Sequence, residues 1–337
     1  MKKFFPNIPL LTLLFLVSIS FAQDIHFSQY YLSPLTLNPA NTGNYRGDYR
    51  LMGNYRTQWR ELNAFNSFSA GGDFNVFPKN MNFSGGIIFL NDKSGGNLSV
   101  NKILPSAAYH VKVNGYKLHF GLQPGLVIKS IDFYSHSFPN QLNWEKGGFD
   151  NRLPNNEPNA GQRFAYFDLN LGSSVSKRFG KWEPEFGFAL FHINRPNESF
   201  LSDKKNPLPI RQAHMLKVNY HVNQKVILQF HSMYGYTAKS SDWVSGVNLE
   251  YVLSQHAFFT NSVFGGLMWR SGILRNSDAG IATIGFNFKN YTLGFSYDVT
   301  FSQLKTTVNS RGAFEMALIY RGKSTRLNQK VIPCERY

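Results

Sequence analysis

Residues that could do acid–base or metal chemistry are scattered in this sequence. The 337 residues include nine histidines, but no His-x-His, His-Glu-x-x-His or Cys-x-x-Cys spacing that could gather a metal ion. The one cysteine, Cys334, excludes an internal disulfide. The double glycines lack the partner residues of a phosphate-binding loop. We therefore expect no enzymatic activity and no cofactor, metal ions included.

A few charged or titratable residues share the polar faces of predicted strands, and they remain candidates for chemistry. A ring of such charges could select ions, and two carboxylates could act as an acid–base pair. The simpler interpretation is that these groups neutralise one another inside a barrel. The residues expected to face this interior are Lys117, His119, Asp168, Glu250, Asp298 and Glu315. A strand shifted by one residue would reverse the assignment.

The composition is that of a folded chain. Hydrophobic residues make up 42% and charged residues 16% of the sequence, which excludes a disordered chain, a coiled coil and collagen. The formal net charge is +15, and such a charge favours anionic surroundings such as lipid head groups, nucleic acid or acidic polymers. No basic stripe with a stacking motif is present, so we expect no nucleic-acid partner.

The first 22 residues have the three parts of a secretory signal peptide. Lys2 and Lys3 precede an apolar run over 10–17, and small residues flank Phe21 at the end. We predict cleavage before Gln23. Beyond this signal, no stretch approaches the roughly 18 apolar residues of a membrane-spanning helix.

The mature chain alternates repeatedly between apolar and polar residues. In the segment 116–123, Tyr, Leu, Phe and Leu lie on one face and Lys, His, Gly and Gln on the other, which is typical of a strand with one apolar face. About fourteen such segments occur, an even number as bacterial barrels require. They lie near 49–59, 66–75, 83–91, 103–113, 116–128, 164–177, 183–192, 213–222, 226–236, 243–253, 258–269, 279–288, 291–299 and 312–321.

The connections between these segments alternate between short and long. Asn114-Gly115 is a pair preferred by two-residue hairpins. The long connections include 129–163, 193–212, 270–278 and 300–311, and we assign them to the cell exterior. This pattern predicts an all-β fold, a transmembrane antiparallel up-and-down β-barrel of the outer membrane over 46–321. A secreted soluble β-sandwich would also alternate, and it remains an alternative.

The two ends of the mature chain do not alternate. The segment 23–45 is apolar and contains Pro34 and Pro39. We predict that it either plugs the barrel or covers its periplasmic mouth. The basic tail 322–337 is expected to extend into the periplasm, where it could meet a partner.

Three short motifs carry a resemblance to a known family. One precedes the barrel, one lies in the first strand, and one lies in the last strand, with a single cysteine near the C-terminus. The motif residues are Phe27, Ser28, Gln29, Tyr30, Pro34, Asn38, Pro39, Ala40, Gly43, Tyr55, Arg56, Gln58, Trp59, Arg311, Gly312, Phe314 and Cys334. They resemble the PorP/SprF family of Bacteroidota outer-membrane proteins over the whole mature chain.

The resemblance implies an integral outer-membrane barrel that works with the type IX secretion system. Its expected partners are the periplasmic and outer-membrane components of that system, a secreted surface adhesin and outer-membrane lipid. The implied function is secretion and cell-surface attachment of adhesins or other cargo, including those of gliding motility. The Asn-Pro-Ala before the barrel is also similar to the hatch of FadL-like transporters, so a plugged channel for small apolar solutes is the alternative function.

Overall fold

The structure is a computed structural model. It describes residues 27–59, 65–76, 82–95, 97–131, 137–145, 147–150, 152–154, 156, 163–200, 206–238, 240–255, 260–272, 277–301 and 311–323. The predicted signal peptide and most of the predicted tail, including Cys334, lie outside the described residues.

Within the described part of the chain, fourteen antiparallel strands close into one barrel. Each pairs with its neighbours in the chain, and the first strand closes the barrel by pairing with the last. The barrel strands are β1 (Tyr49–Gln58), β2 (Phe65–Val76), β3 (Phe83–Ser94), β4 (Leu98–Val113), β5 (Tyr116–Ile131), β8 (Arg163–Ser176), β9 (Trp182–Phe191), β10 (Arg211–His221), β11 (Val226–Thr237), β12 (Ser240–Gln255), β13 (Thr260–Ser271), β14 (Ser277–Phe288), β15 (Tyr291–Thr300) and β16 (Arg311–Gly322). The predicted fold class is confirmed.

The predicted boundaries differ from the observed ones mainly at one end of the barrel. Strand β4 begins at Leu98 rather than at 103, and β12 begins at Ser240 rather than at 243. A small hairpin within the predicted 129–163 connection was missed: β6 (Leu142–Asn143) pairs with β7 (Gly148–Phe149). Its two-residue strands are too short for an alternation pattern to be recognised.

The two rims of the barrel are distinguished by their connections. We call one the terminal rim, because both ends of the barrel chain lie there together with the connections 114–115, 177–181, 222–225 and 289–290. We call the other the loop rim; it carries the connections 132–162 and 192–210. Asn114 and Gly115 both have positive φ, 50° and 81°, as the predicted hairpin turn requires.

The wall alternates as the sequence pattern indicates. In β12 the side chains of Val247 and Leu249 are about half exposed, whereas Asn248 between them is fully buried. The same outward apolar face recurs on the other strands and forms the surface available to lipid. Inward positions are occupied by a mixture of small, polar and apolar residues.

The segment that precedes β1 lies inside the lumen. Residues 27–43, which we call the plug, form a 3-10 turn (Tyr30–Leu32), the one-turn helix α1 (Pro34–Leu37) and a second 3-10 turn (Pro39–Asn41). Leu35 is fully buried in a cluster with Ile88 of β3 and Leu104 of β4. The plug and these inward side chains therefore pack as a protein core.

Among the described residues, no helix is long and apolar enough to cross a membrane.

Candidate functional site: a plug held inside the barrel

A carboxylate on the last strand holds the start of the plug. Glu315 lies on β16, and its Oε1 accepts a hydrogen bond from the backbone N of Ser28 at 2.6 Å. Its Oε2 accepts a second bond from the backbone N of Gln29 at 2.9 Å. Glu315 is 2% exposed, so both bonds form away from water. Two plug amides that no regular structure satisfies therefore find their acceptors in the wall.

Two arginines compensate the buried carboxylates. Arg56 of β1 forms ion pairs with Glu315 and, at 3.3 Å, with Asp298 of β15. Arg270 of β13 lies 2.9 Å from the same Asp298 oxygen. A second carboxylate, Asp278, lies 2.8 Å from Arg270 Nε. Because every buried charge has a partner of opposite sign, the desolvation cost of the group is offset.

The same charges converge on one hydroxyl of the plug. Ser28 Oγ donates to Asp298 at 2.8 Å and accepts from Arg56 at 2.7 Å and Arg270 at 3.2 Å. We call the four side chains Arg56, Arg270, Asp298 and Glu315 the clamp. It joins the first family motif to the other two, because Arg56 belongs to the first-strand motif and Glu315 follows Phe314 in the last.

The Asn-Pro-Ala motif is attached in a different way. Asn38 Nδ2 donates to the backbone carbonyls of Ser173 at 3.0 Å and Phe188 at 3.4 Å, while its Oδ1 accepts from Ala40 N at 2.9 Å. The first two bonds tie the plug to β8 and β9, and the third caps the second 3-10 turn. Asn38 is 1% exposed. One amide side chain therefore fixes both the position and the local shape of the plug.

Two glycines make room for this motif. Gly121 of β5 and Gly172 of β8 lie opposite each other in the sheet. A Cβ atom on Gly121 would lie 2.2 Å from the carbonyl carbon of Pro39, and one on Gly172 would lie 1.9 Å from Asn38 Oδ1. We call this pair of glycines the seat. Only a residue without a side chain allows the plug to lie this close to the wall.

A third attachment holds the end of the plug near the terminal rim. Arg50 of β1 and Asp73 of β2 are paired across the sheet and form a buried ion pair at 2.6 Å. Asp73 also accepts from Gly43 N at 2.7 Å, and Arg50 donates to the carbonyl of Asn41 at 3.0 Å. Gly43 has a positive φ, 73°, a conformation that glycine adopts without strain.

The six residues predicted to face the lumen do not form one site. Asp298 and Glu315 lie in the clamp. The other carboxylates have separate partners: Asp168 contacts His192 Nδ1 at 2.8 Å, and Glu250 accepts from Gln229 at 2.6 Å. His119 Nδ1 lies 2.6 Å from His110 Nδ1, and Lys117 is exposed at the start of β5. No ring of charges spans the lumen among these residues.

The remaining motif residues divide between the plug and the wall. Phe27, Tyr30, Pro34 and Ala40 are buried in the plug. Tyr55 and Phe314 face outward from the wall, so they belong to the lipid-facing surface. Gln58 accepts a hydrogen bond from Arg56 at 2.8 Å. Gly312 lies close to the neighbouring strand, since a Cβ atom on it would lie 2.2 Å from the carbonyl oxygen of Asp298. Trp59 follows β1, and its ring packs edge-on against Phe65. The Arg311 side chain lies outside the described residues.

Sequence reasoning did not identify Arg50, Asp73, Arg270 or the seat glycines. Arg50 and Asp73 lie in predicted strands, at positions that the alternation places inward. Arg270 lies in the segment 270–278, which the sequence pattern assigned to a connection, whereas β13 extends to Ser271. Their partners, however, depend on strand register and on which strands meet across the lumen. The glycines carried an even weaker signal, because an isolated glycine in a strand marks a bend as readily as a close contact.

A cavity remains between the plug and the wall at the terminal rim. It has a volume of about 830 Å³ and is lined by residues of the plug, by residues 44–47 that follow it, and by the strands β1 and β8 to β16. We call this cavity the vestibule. Burial raises the pKa of the Tyr30 and Tyr31 hydroxyls, so both stay neutral at its inner end.

Comparisons with known proteins give one family and a group of similar folds. A family model described as type IX secretion system membrane protein PorP/SprF matches residues 19–320. A search of curated proteins found no match to the sequence. Among solved structures, a CymD monoaromatic hydrocarbon channel has a TM-score of 0.50 at 10% identity, covering 87% of this chain and 93% of that one. The deltaS2S3 mutant of the TodX monoaromatic hydrocarbon channel has a TM-score of 0.50 at 9% identity, with coverages of 85% and 93%. At such identities the similarity concerns the fold alone.

Proposed function

Because the chain belongs to the PorP/SprF family of type IX secretion system membrane proteins, we propose that it serves the secretion and cell-surface attachment of adhesins or other cargo, as in gliding motility. As a β-barrel of this family, it is an integral protein of the outer membrane. Its proposed role is non-enzymatic binding. Its proposed partners are the components of the secretion system, the surface adhesin and outer-membrane lipid.

The observation that carries the proposal is the attachment of the plug by the family's own motifs. Ser28 and Gln29 are held by Glu315, and Asn38 by the β8 and β9 backbone. A plug that is attached along its length keeps the lumen from being open. This favours a barrel that offers surfaces for binding over a barrel that conducts cargo through its lumen. The motif residues that contact the plug then serve to keep the lumen closed.

The orientation in this proposal follows the connections. The loop rim, with the connections 132–162 and 192–210, would face the exterior and engage the adhesin. The terminal rim and the basic tail 322–337 would face the periplasmic partners. An exposed Trp144 at the tip of the β6–β7 hairpin, 86% exposed, is the kind of aromatic residue that often anchors protein contacts.

Deletion of the gene tests the proposal. We expect loss of the adhesin from the cell surface, measured by antibody labelling of intact cells, together with reduced secretion and spreading. Complementation with the unaltered gene should restore all three. Normal surface adhesin, secretion and spreading in the deletion strain would contradict the proposal.

The alternative function is a plugged channel for small apolar solutes. The fold similarity to two proteins that are described as monoaromatic hydrocarbon channels and the presence of a cavity beside the plug favour it. Purified protein in liposomes distinguishes the two functions. Uptake of an apolar solute would support the channel, whereas its absence together with the deletion phenotype supports the attachment role.

A further inference from the structure

The vestibule has an apolar inner end and a basic mouth. Its inner end is lined by Tyr30 and Leu37 of the plug and by Met215, Phe264 and Ile319 of the wall. The charged lining residues comprise six basic and two acidic side chains: Arg46, Arg50, Lys217, Lys289, Arg321 and Lys323 against Glu185 and Glu250. Six basic against two acidic residues give the lining an excess of positive charge, and Arg50 is also paired with Asp73, a buried carboxylate outside the lining.

Three buried polar atoms of the lining residues have no hydrogen-bond partner within the described residues. They are the hydroxyls of Tyr30 and Tyr31 and Nε2 of His231. Tyr30 and His231 are almost completely buried, at 5% and 3% exposed. A buried donor or acceptor without a partner costs about 1–3 kcal/mol. These atoms have almost no solvent-accessible surface, so a polar ligand in the vestibule would reach them only after the surrounding side chains move.

The spread of the basic groups around the wall indicates the size of a ligand. Lys217 lies on β10, and Lys289 lies in the turn that follows β14. Four strand spacings of about 4.8 Å separate these strands, so their backbones are about 19 Å apart along the wall. A ligand that lies against the wall from β10 to the turn after β14 must therefore be elongated. An extended peptide covers this span with about six residues, at about 3.3 Å per residue.

We propose that the vestibule binds an extended acidic segment of a periplasmic protein. Its carboxylates would face Lys217 and Lys289, and its apolar side chains would pack on Leu37, Met215 and Phe264. The proposal rests on the proposed function, because that function places the terminal rim in the periplasm.

A binding assay with the full-length protein in lipid nanodiscs tests the proposal. The probe is a short fluorescent peptide that alternates Leu with Asp and Glu, and binding is followed by fluorescence anisotropy. We expect saturable binding that weakens as salt concentration rises. The double variant Lys217→Gln, Lys289→Gln should bind roughly tenfold more weakly. The matched control is Lys225→Gln, which alters a lysine of the same rim outside the lining and should leave affinity unchanged.

Several outcomes would overturn the proposal. One is that a peptide with Lys in place of Asp and Glu binds as tightly as the acidic probe. Another is that a peptide with Ser in place of Leu binds as tightly as the probe. The third is that the double variant and the control variant bind the probe with equal affinity. Binding of decanoate without binding of the peptide would instead indicate a site for small amphiphiles. Heat-dependent mobility on gels verifies that each variant retains a folded barrel. Because the assay requires no secretion, its failure beside a clear deletion phenotype would refute the vestibule site alone.

Discussion

The clamp and the seat hold the same short plug by opposite means. At the clamp, Ser28 and Gln29 are bound by charged side chains from β1, β13, β15 and β16. At the seat, Asn38-Pro39-Ala40 lies against wall backbone exposed by two glycines. The first attachment depends on paired charges in a medium of low polarity, and the second on shape. Substitutions that remove a charge should therefore weaken the clamp, whereas substitutions that add atoms to the wall should weaken the seat.

Glu315→Gln should have the largest effect on stability. The substitution removes a buried negative charge and leaves Arg56 with one carboxylate partner, so we expect a loss of about 3–5 kcal/mol. Urea unfolding in detergent micelles, followed by tryptophan fluorescence, measures it. Glu183→Gln is the control, because that partly exposed carboxylate lies 3.7 Å from His221 near the terminal rim and should change stability by no more than about 1 kcal/mol.

The double variant Arg56→Met, Glu315→Met sharpens this prediction. Removing both partners leaves fewer uncompensated charges than removing one, so the loss should be smaller than the sum of the two single losses. Hydrogen exchange of the Ser28 and Gln29 amides should accelerate in every clamp variant, whereas exchange at Ala40 should change less. Additive losses would show that Arg56 and Glu315 act independently.

Gly121→Ala should have an intermediate effect at the seat. A Cβ atom 2.2 Å from the Pro39 carbonyl carbon forces the plug or the wall to move, at a cost of about 1–3 kcal/mol. Gly148→Ala is the control, because its Cβ would have no neighbour within 4 Å. Here exchange at Ala40 should accelerate more than exchange at Ser28. The reverse order would contradict the separation of clamp and seat.

Asn38→Ala should cost less, about 1–2 kcal/mol, because it removes side-chain hydrogen bonds without adding atoms. Asn38→Asp keeps the acceptor for Ala40 N but places a carboxylate near the carbonyls of Ser173 and Phe188. We therefore expect Asp to destabilise more than Ala, as measured by thermal unfolding. Equal effects would show that the donations from Nδ2 contribute little.

Leu267→Val should have the smallest effect. Leu267 is 72% exposed on the outer face of β13, so the substitution changes only contact with lipid or detergent, and stability should change by less than about 0.5 kcal/mol. Neither Ser28 nor Ala40 should exchange faster. Accelerated exchange at either amide would mean that the outer face, too, holds the plug.

The barrel was predictable because its signal is local. Alternation is visible within each strand, as in Val247, Asn248 and Leu249, and the short turns were marked by pairs such as Asn114-Gly115. The plug was foreseen as one of two possibilities, because apolar residues with prolines cannot remain in water. Its attachments were not foreseen in the same detail. Asp298 and Glu315 were recognised as inward, but their arginine partners were not.

The sequence by itself determined the number of strands, the inward and outward faces of most of them, and the presence of an apolar segment that must be buried. Only the tertiary structure decided which residues of the wall bury it. Glu315 meets Ser28 across 287 positions of the chain, and Gly121 meets Gly172 through the register of two strands. Such contacts arise when the barrel closes, because closure fixes register and brings distant strands around one lumen.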